Sequence, residues 1–236
     1  MNAVGTRWSF LVGEHTANDL NDRPVFSSIV RMSPMGEEVE IFADGVRNSM
    51  GMAFHPVTGD LWFTDNGPSW PFEHPETYDI PADELNRATQ PGQHFGFPYI
   101  HASLPDPLIG NIAPEGIVGP AHEFQAHTAP LGIKFYTGTM FPEEYRNQAF
   151  IAEHGTEATT PVFGVRSRVH GDRITLARFD EAGDFVSYET FATGFMRDLN
   201  SNYNRRPVDL AVMPDGALLV SDDQAQTIYR ISHTGN

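Results

Sequence analysis

The sequence predicts an all-β fold on three observations. Short apolar runs are broken by Gly, Pro, Asn and Asp at near-regular intervals, a strand–turn–strand unit recurs along the chain, and helical periodicity is almost lacking. Recurrence of such a unit is the sequence mark of propellers and solenoids.

Taken in order, "SSIVRMSPMGEEVEIFADG" (27–45) reads as two short strands around a Pro-Met-Gly turn. "MAFHPVTGDLWFTDN" (52–66) is an apolar run, a Gly turn and a second apolar run ending on an acid. A stretch rich in Pro, Gly and His, 70–126, reads as a long insertion whose "HFGFPY" aromatics favour a packed loop. Inside it, "PADELNRAT" (81–89) reads as a helical turn opened by proline, with Asp83 and Glu84 at its N-terminus or, alternatively, on a second structural Ca²⁺. "LGIKFYTGTMFPEEYRNQAFIAEHG" (131–155) is a weaker copy of the unit and contains the other predicted helical turn, "PEEYRN". "RITLARFDEAGDFVSYETFATG" (173–194) reads as two strands around Glu-Ala-Gly, and "TIYRISHTGN" as a last strand. The clearest echo of the first unit is "LAVMPDGALLVSDD" (210–223); an arginine precedes each, Arg47 and Arg206. Met52, Leu131 and Leu210 begin the three copies at equal intervals.

Composition narrows the function. With 236 residues, 40% hydrophobic and 11% aromatic, the chain can bury a real core, and one domain over 1–236 is the expectation. Thirty-one acids against fifteen bases give a formal charge of −16, which repels nucleic acid and anionic membrane and leaves a small molecule as the expected partner. No apolar run approaches the roughly 18 residues of a membrane helix, and no secretion leader is seen. The expected location is the cytoplasm, or the periplasm for a piece of a longer chain. Cysteine is absent, so disulfides, thiolate metal sites and cysteine nucleophiles are excluded. No G-x-S-x-G, H-E-x-x-H or Walker pattern occurs.

Asp65-Asn66-Gly67-Pro68 ends a strand with two side-chain oxygens and a bend that can turn successive carbonyls to one side. Ca²⁺ prefers six to eight such oxygens, although a tight turn alone would also explain the tetrapeptide. Trp70 would add an apolar wall.

"DGVRNSMGMAFHPVTGDLWFTDNGPSW…DELNR…GQHFGFPY", continued by "PLGIKFYTGTMFPEEYRNQAFIAEHG" and "NRRPVDLAVMPDGALLVSDD", resembles the glucose/sorbosone dehydrogenase family over nearly the whole chain from about residue 27. The resemblance implies a quinoprotein-type six-bladed β-propeller in which pyrroloquinoline quinone (PQQ) lies against Ca²⁺. By position, Gly67 and Pro68 resemble the pair whose carbonyls hold Ca²⁺, with Asp65 and Asn66 as further oxygen donors. Arg47 and Asn48 resemble the pair on the quinone oxygens, Arg206 resembles a cofactor-binding arginine, and His154 falls near a site residue of sugar-oxidising relatives.

Six blades need about 240 residues at about 40 per blade, so with the insertion only three to four blades are expected here. The half of the family pattern that carries the proton-accepting histidine has no counterpart. Open strand edges would favour a homodimer. The cationic cradle thins to Arg47 and Arg206, with Arg166 as a substitute. The leading expectation is therefore a Ca²⁺-dependent hydrolase opening a small lactone of the sugar or acyl-homoserine type, with His127 and His154 as bases. Alternatives are a PQQ- and Ca²⁺-dependent dehydrogenase of sugars or sorbosone-like aldehydes, and an inactive Ca²⁺-binding fragment. Asp209, Asp222 and Asp223 are candidate outer ligands or turn caps.

Overall fold

The computed structural model describes residues 3–7, 19–20, 23–24, 27–68, 81–106, 113–155, 171–195 and 205–235. In chain order the strands begin with β1 (Ala3–Arg7), β2 (Asp19–Leu20), β3 (Arg23–Pro24), β4 (Ser28–Met32) and β5 (Glu40–Asp44). Next come β6 (Ser49–Phe54), β7 (Leu61–Asp65), β8 (Asp83–Ala88), β9 (Gln93–His94), β10 (Ile100–His101), β11 (Leu104–Pro105) and β12 (His122–Phe124). The last seven are β13 (Pro130–Phe135), β14 (Ala149–Glu153), β15 (Arg173–Phe179), β16 (Phe185–Ala192), β17 (Pro207–Val212), β18 (Leu218–Asp222) and β19 (Thr227–Ile231).

They form four successive blades of a partial β-propeller. The strand orders are β1-β4-β5-β9, β6-β7-β8-β12, β13-β14-β15-β16 and β17-β18-β19; pairing is antiparallel except between β5 and β9. Small ribbons pair β2 with β3 and β10 with β11.

Blades stack because their middle strands are apolar on both faces. Side chains alternate along a strand, so consecutive residues of β7 serve different neighbours. Leu61 and Phe63 pack with Ile29, Phe42 and Ala43 of the first blade, while Trp62 packs with Ile133, Ile151 and Phe179 of the third. Strand β14 repeats the scheme: Ala149 and Ile151 face the second blade, and Phe150 and Ala152 face Leu210, Leu218 and Val220 of the fourth. A strand clothed on both sides reads as the unbroken runs Leu-Trp-Phe and Ala-Phe-Ile-Ala.

The expected hairpins at 27–45 and 173–194 and the final strand are present; Gly36 and Gly183 take the left-handed conformation in the two turns. Three expectations are corrected. "PADELNRAT" is strand β8, paired with β7 from Leu61↔Ala88 to Asp65↔Glu84, because burial of Leu85, Asn86 and Ala88 outweighs the helix-opening proline. Of the two expected helical turns "PEEYRN" alone is helical, as a 3-10 turn over Glu143–Tyr145. The stretch 70–126 is not simply a loop, since it supplies β8 and β12 to the second blade and β9 to the first. Finally, a bulge displaces the register after the first residue of β6, β13 and β17, and the aligned pairs are Met52↔Phe63, Ile133↔Ile151 and Leu210↔Val220. The counterpart of Met52 in the third blade is therefore Ile133, two residues past Leu131.

Candidate functional site

Strand β7 ends on Asp65, which is 4% exposed. A carboxylate so placed must find donors inside the protein. It does: Arg47 N–H donates to Asp65 Oδ2 at 2.8 Å, and Asn48 N–H donates to Oδ1. Both oxygens of this expected cation ligand thus fix the turn entering β6. Burial, reinforced by neighbouring Glu84, pushes the Asp65 carboxyl up to about 8. Glu84 is itself tied by Asn86 Nδ2–H at 2.7 Å and Ala102 N–H at 2.6 Å.

Asp83 has the corresponding task on the next strand. Its Oδ1 accepts Gly67 N–H at 2.8 Å, and its Oδ2 accepts Ala129 N–H at 2.9 Å and Thr128 Oγ1–H at 3.2 Å. One carboxylate therefore joins the Gly67 bend to the turn before β13. Burial raises its proton affinity despite those three donors.

The carbonyl side of the bend faces Arg47, whose Nη1–H donates to Asn66 O at 2.9 Å and Gly67 O at 3.1 Å. Asn66 N–H is held by Asn48 O at 3.1 Å, and Pro68 is buried directly after. The side-chain oxygens Asn48 Oδ1 and Asn66 Oδ1 are buried without a hydrogen-bond partner. Beside the bend, Arg47, Asp65, Gly67, Glu84 and His101 border a cavity of about 10 Å³, room for one water.

From Thr128 and Ala129 the connection continues across the blades. Gly155 N–H donates to Thr128 O at 2.8 Å and His154 N–H to Ala129 O at 3.0 Å. Arg206 Nε–H donates to His154 O at 3.2 Å, and its Nη2 also bonds Gly155 O. His154 Nε2 lies 3.0 Å from Asp223 Oδ1; burial first, then Arg206, lowers its proton affinity. His127, left-handed at φ 66°, lies near enough to Asp83 to lower that acid's proton affinity. A continuous hydrogen-bonded belt therefore links the neighbourhoods of Arg47, Asn48, Asp65, Asn66 and Gly67 with those of His127, His154 and Arg206.

Other expected residues have structural tasks or fall elsewhere. Asp222 Oδ1 accepts Ala225 N–H at 2.7 Å and its Oδ2 accepts Tyr229 Oη–H at 3.3 Å, so Asp222 caps a turn. Asp209 is exposed and accepts Leu210 N–H. Trp70 and Arg166 lie outside the described residues.

Sequence reading missed two buried features. His101 Nε2 lies 2.9 Å from Asp106 Oδ2, on residues that merely looked like part of a long loop. Asp172 is 3% exposed, and neither carboxylate oxygen has a hydrogen-bond partner. Its pKa is pushed up to about 6, by burial first, with Arg206 opposing and Asp222 adding. The folded state thus binds this proton more tightly than the unfolded chain, whose ordinary value is 3.8. The resulting destabilisation is absent below about pH 4, grows as the pH rises to about 6 and is complete above it. Asp172→Asn is accordingly expected to stabilise the fold by about 2 kcal/mol near neutral pH and by nothing near pH 4, read from urea midpoints at both. Equal shifts at the two pH values would contradict the assignment.

Against known proteins, the family model described as Glucose / Sorbosone dehydrogenase matches residues 25–164, and a TrAA12-like model matches 111–234. An uncharacterized protein of Borreliella burgdorferi is 39% identical over 81% of this chain and 48% of its own length. An aldose sugar dehydrogenase of Escherichia coli is 27% identical over 80% of this chain and 43% of its own. Among solved structures, the calcium structure of a Trichoderma reesei carbohydrate-active enzyme of family AA12 aligns with TM-score 0.69 at 21% identity, covering 87% of this chain and 59% of that one. The holo PQQ domain of pyranose dehydrogenase from Coprinopsis cinerea aligns with TM-score 0.64 at 16% identity, covering 88% and 61%. The chain spans about half the length, or less, of the curated relatives it matches.

Proposed function

The chain belongs to the glucose/sorbosone dehydrogenase family, and from that membership we propose that it carries the cofactor-facing blades of a PQQ- and Ca²⁺-dependent oxidoreductase acting on sugars. The observation that carries this reading is the belt running from the Gly67 bend to Arg206.

The donor set fits the two groups. The main-chain oxygens expected at Gly67 and Pro68, joined by Asn66 O on the Arg47 side of the bend and by the partnerless Asn48 Oδ1 and Asn66 Oδ1, are hard neutral ligands of the kind Ca²⁺ takes. Arg47 and Arg206 supply positive charge to a chain of net −16 and suit the carboxylates of PQQ. PQQ when bound supplies the two-electron oxidant, and Ca²⁺ the Lewis acid that polarises it. The chain's own residues orient these groups: Asp65 fixes the Arg47–Asn48 backbone, and Asp83 fixes Gly67.

This reading replaces the lactone hydrolase expected first. The relatives whose names state a sugar activity are dehydrogenases. An arginine pair on one belt also suits an anionic cofactor better than a neutral lactone. Protein loaded with PQQ and CaCl₂ is expected to reduce a redox dye in the presence of aldoses, and chelation should abolish the reaction. Acid release from lactones, with no dye reduction across an aldose panel, would restore the hydrolase.

A further inference from the structure

The Gly67 carbonyl has a cation on it already, and that cation belongs to the chain. Arg47 Nη1–H reaches Asn66 O and Gly67 O at once, at 2.9 and 3.1 Å. The backbone around it is fixed without help from this side chain. Arg47 N–H and Asn48 N–H are held by Asp65, Asn66 N–H by Asn48 O, and Gly67 N–H by Asp83 Oδ1. The guanidinium therefore adds little to the shape of the bend while occupying its carbonyl face. Burial disfavours its charge there, with Asp65 and Asp83 compensating in part.

We propose that Arg47 is a tethered cation that competes with the divalent metal for the Gly67 carbonyl, so that metal binding drives the guanidinium off the bend and frees it for an anionic ligand. This rests on the calcium reading of the bend given above. A divalent ion and a guanidinium on the same oxygen repel, and the half-buried bend screens that repulsion less than bulk water would. Each should lower the other's occupancy, as linkage requires. In this scheme Arg47 has two positions: on Asn66 O and Gly67 O before metal arrives, and toward the cofactor side afterwards.

The scheme makes the sign of a substitution unusual. Titration calorimetry of CaCl₂ into metal-free protein is expected to show calcium binding tighter by about tenfold or more in Arg47→Ala than in wild type. Arg47→Gln, which keeps a polar stem without the charge, should behave in the same direction if the alanine variant fails to fold. Thermal melts of both variants without metal serve to establish that the bend survives. Affinity equal to or weaker than wild type in a folded variant overturns the competition while leaving the calcium reading intact. Absence of calcium uptake by wild type and variants alike overturns that reading and the competition with it.

Discussion

Asp83→Ala is expected to lower the unfolding free energy by about 3 kcal/mol and to uncouple the Gly67 bend from the third blade. The carboxylate serves three donors, Gly67 N–H, Ala129 N–H and Thr128 Oγ1–H, in a place only 3% exposed. Each buried donor left without an acceptor costs about 1–3 kcal/mol. The whole sum is not reached, because removing the acid also relieves the burial that raises its proton affinity. Alanine frees space in which water can reach some of the donors, a second offset. The net figure remains large because two of the donors are backbone groups on different segments, and among the described residues both donate to Asp83 alone. Urea unfolding followed by circular dichroism would measure the loss. Calcium calorimetry on the folded variant should show weaker binding, since Gly67 is no longer held. A midpoint within error of wild type would show that Asp83 ties nothing together.

How far the sequence announced this arrangement depends on whether burial was apolar or polar. Strands β7 and β14 were legible because both of their faces are clothed, so Leu61-Trp62-Phe63 and Ala149-Phe150-Ile151-Ala152 stand out as apolar runs between turn residues. The turns at Gly36 and Gly183 were legible from residues that tolerate positive φ. Register was less so: Leu131 and Ile133 are both apolar and flank Gly132, and the bulge after Pro130 is invisible in a pattern of hydrophobicity. Strand β8 was misread because Asp83, Glu84 and Asn86 are polar yet buried, and a sequence displays their polarity without the tertiary donors that satisfy it. The same blindness affects the site. Asp65 beside Gly67 reads as an oxygen donor for a cation, whereas the fold shows both its oxygens accepting from Arg47 and Asn48. Asp172 stands just before the predicted 173–194 hairpin, where nothing in the sequence marks it as buried; only the fold places it beside Arg206 and Asp222.

Gly51→Ala is expected to cost at least about 3 kcal/mol, a surprising amount for one methyl group. The inner strands of neighbouring blades approach where the wedge between them is narrowest. A Cβ at residue 51 would lie 2.0 Å from Leu131 O and 2.9 Å from Ile133 N, both backbone atoms of β13 that cannot rotate away. Relief requires β6 and β13 to separate, and that separation has a further consequence. Gly51 N–H donates to Thr64 Oγ1 at 3.1 Å, and Thr64 Oγ1–H donates to Leu131 O at 2.8 Å, a buried relay joining the second blade to the third. Pushing Leu131 O outward leaves the threonine hydroxyl without its acceptor, and Trp62 loses its packing against Ile133. Gly36→Ala provides the comparison. There a Cβ meets nothing within 4 Å, and the cost is only that of placing alanine at φ 81°, about 1 kcal/mol. Urea titrations of the two variants should therefore separate by about 2 kcal/mol, with the larger loss at the blade interface. Equal losses would mean that inner-strand spacing yields far more readily than close-packed backbone should.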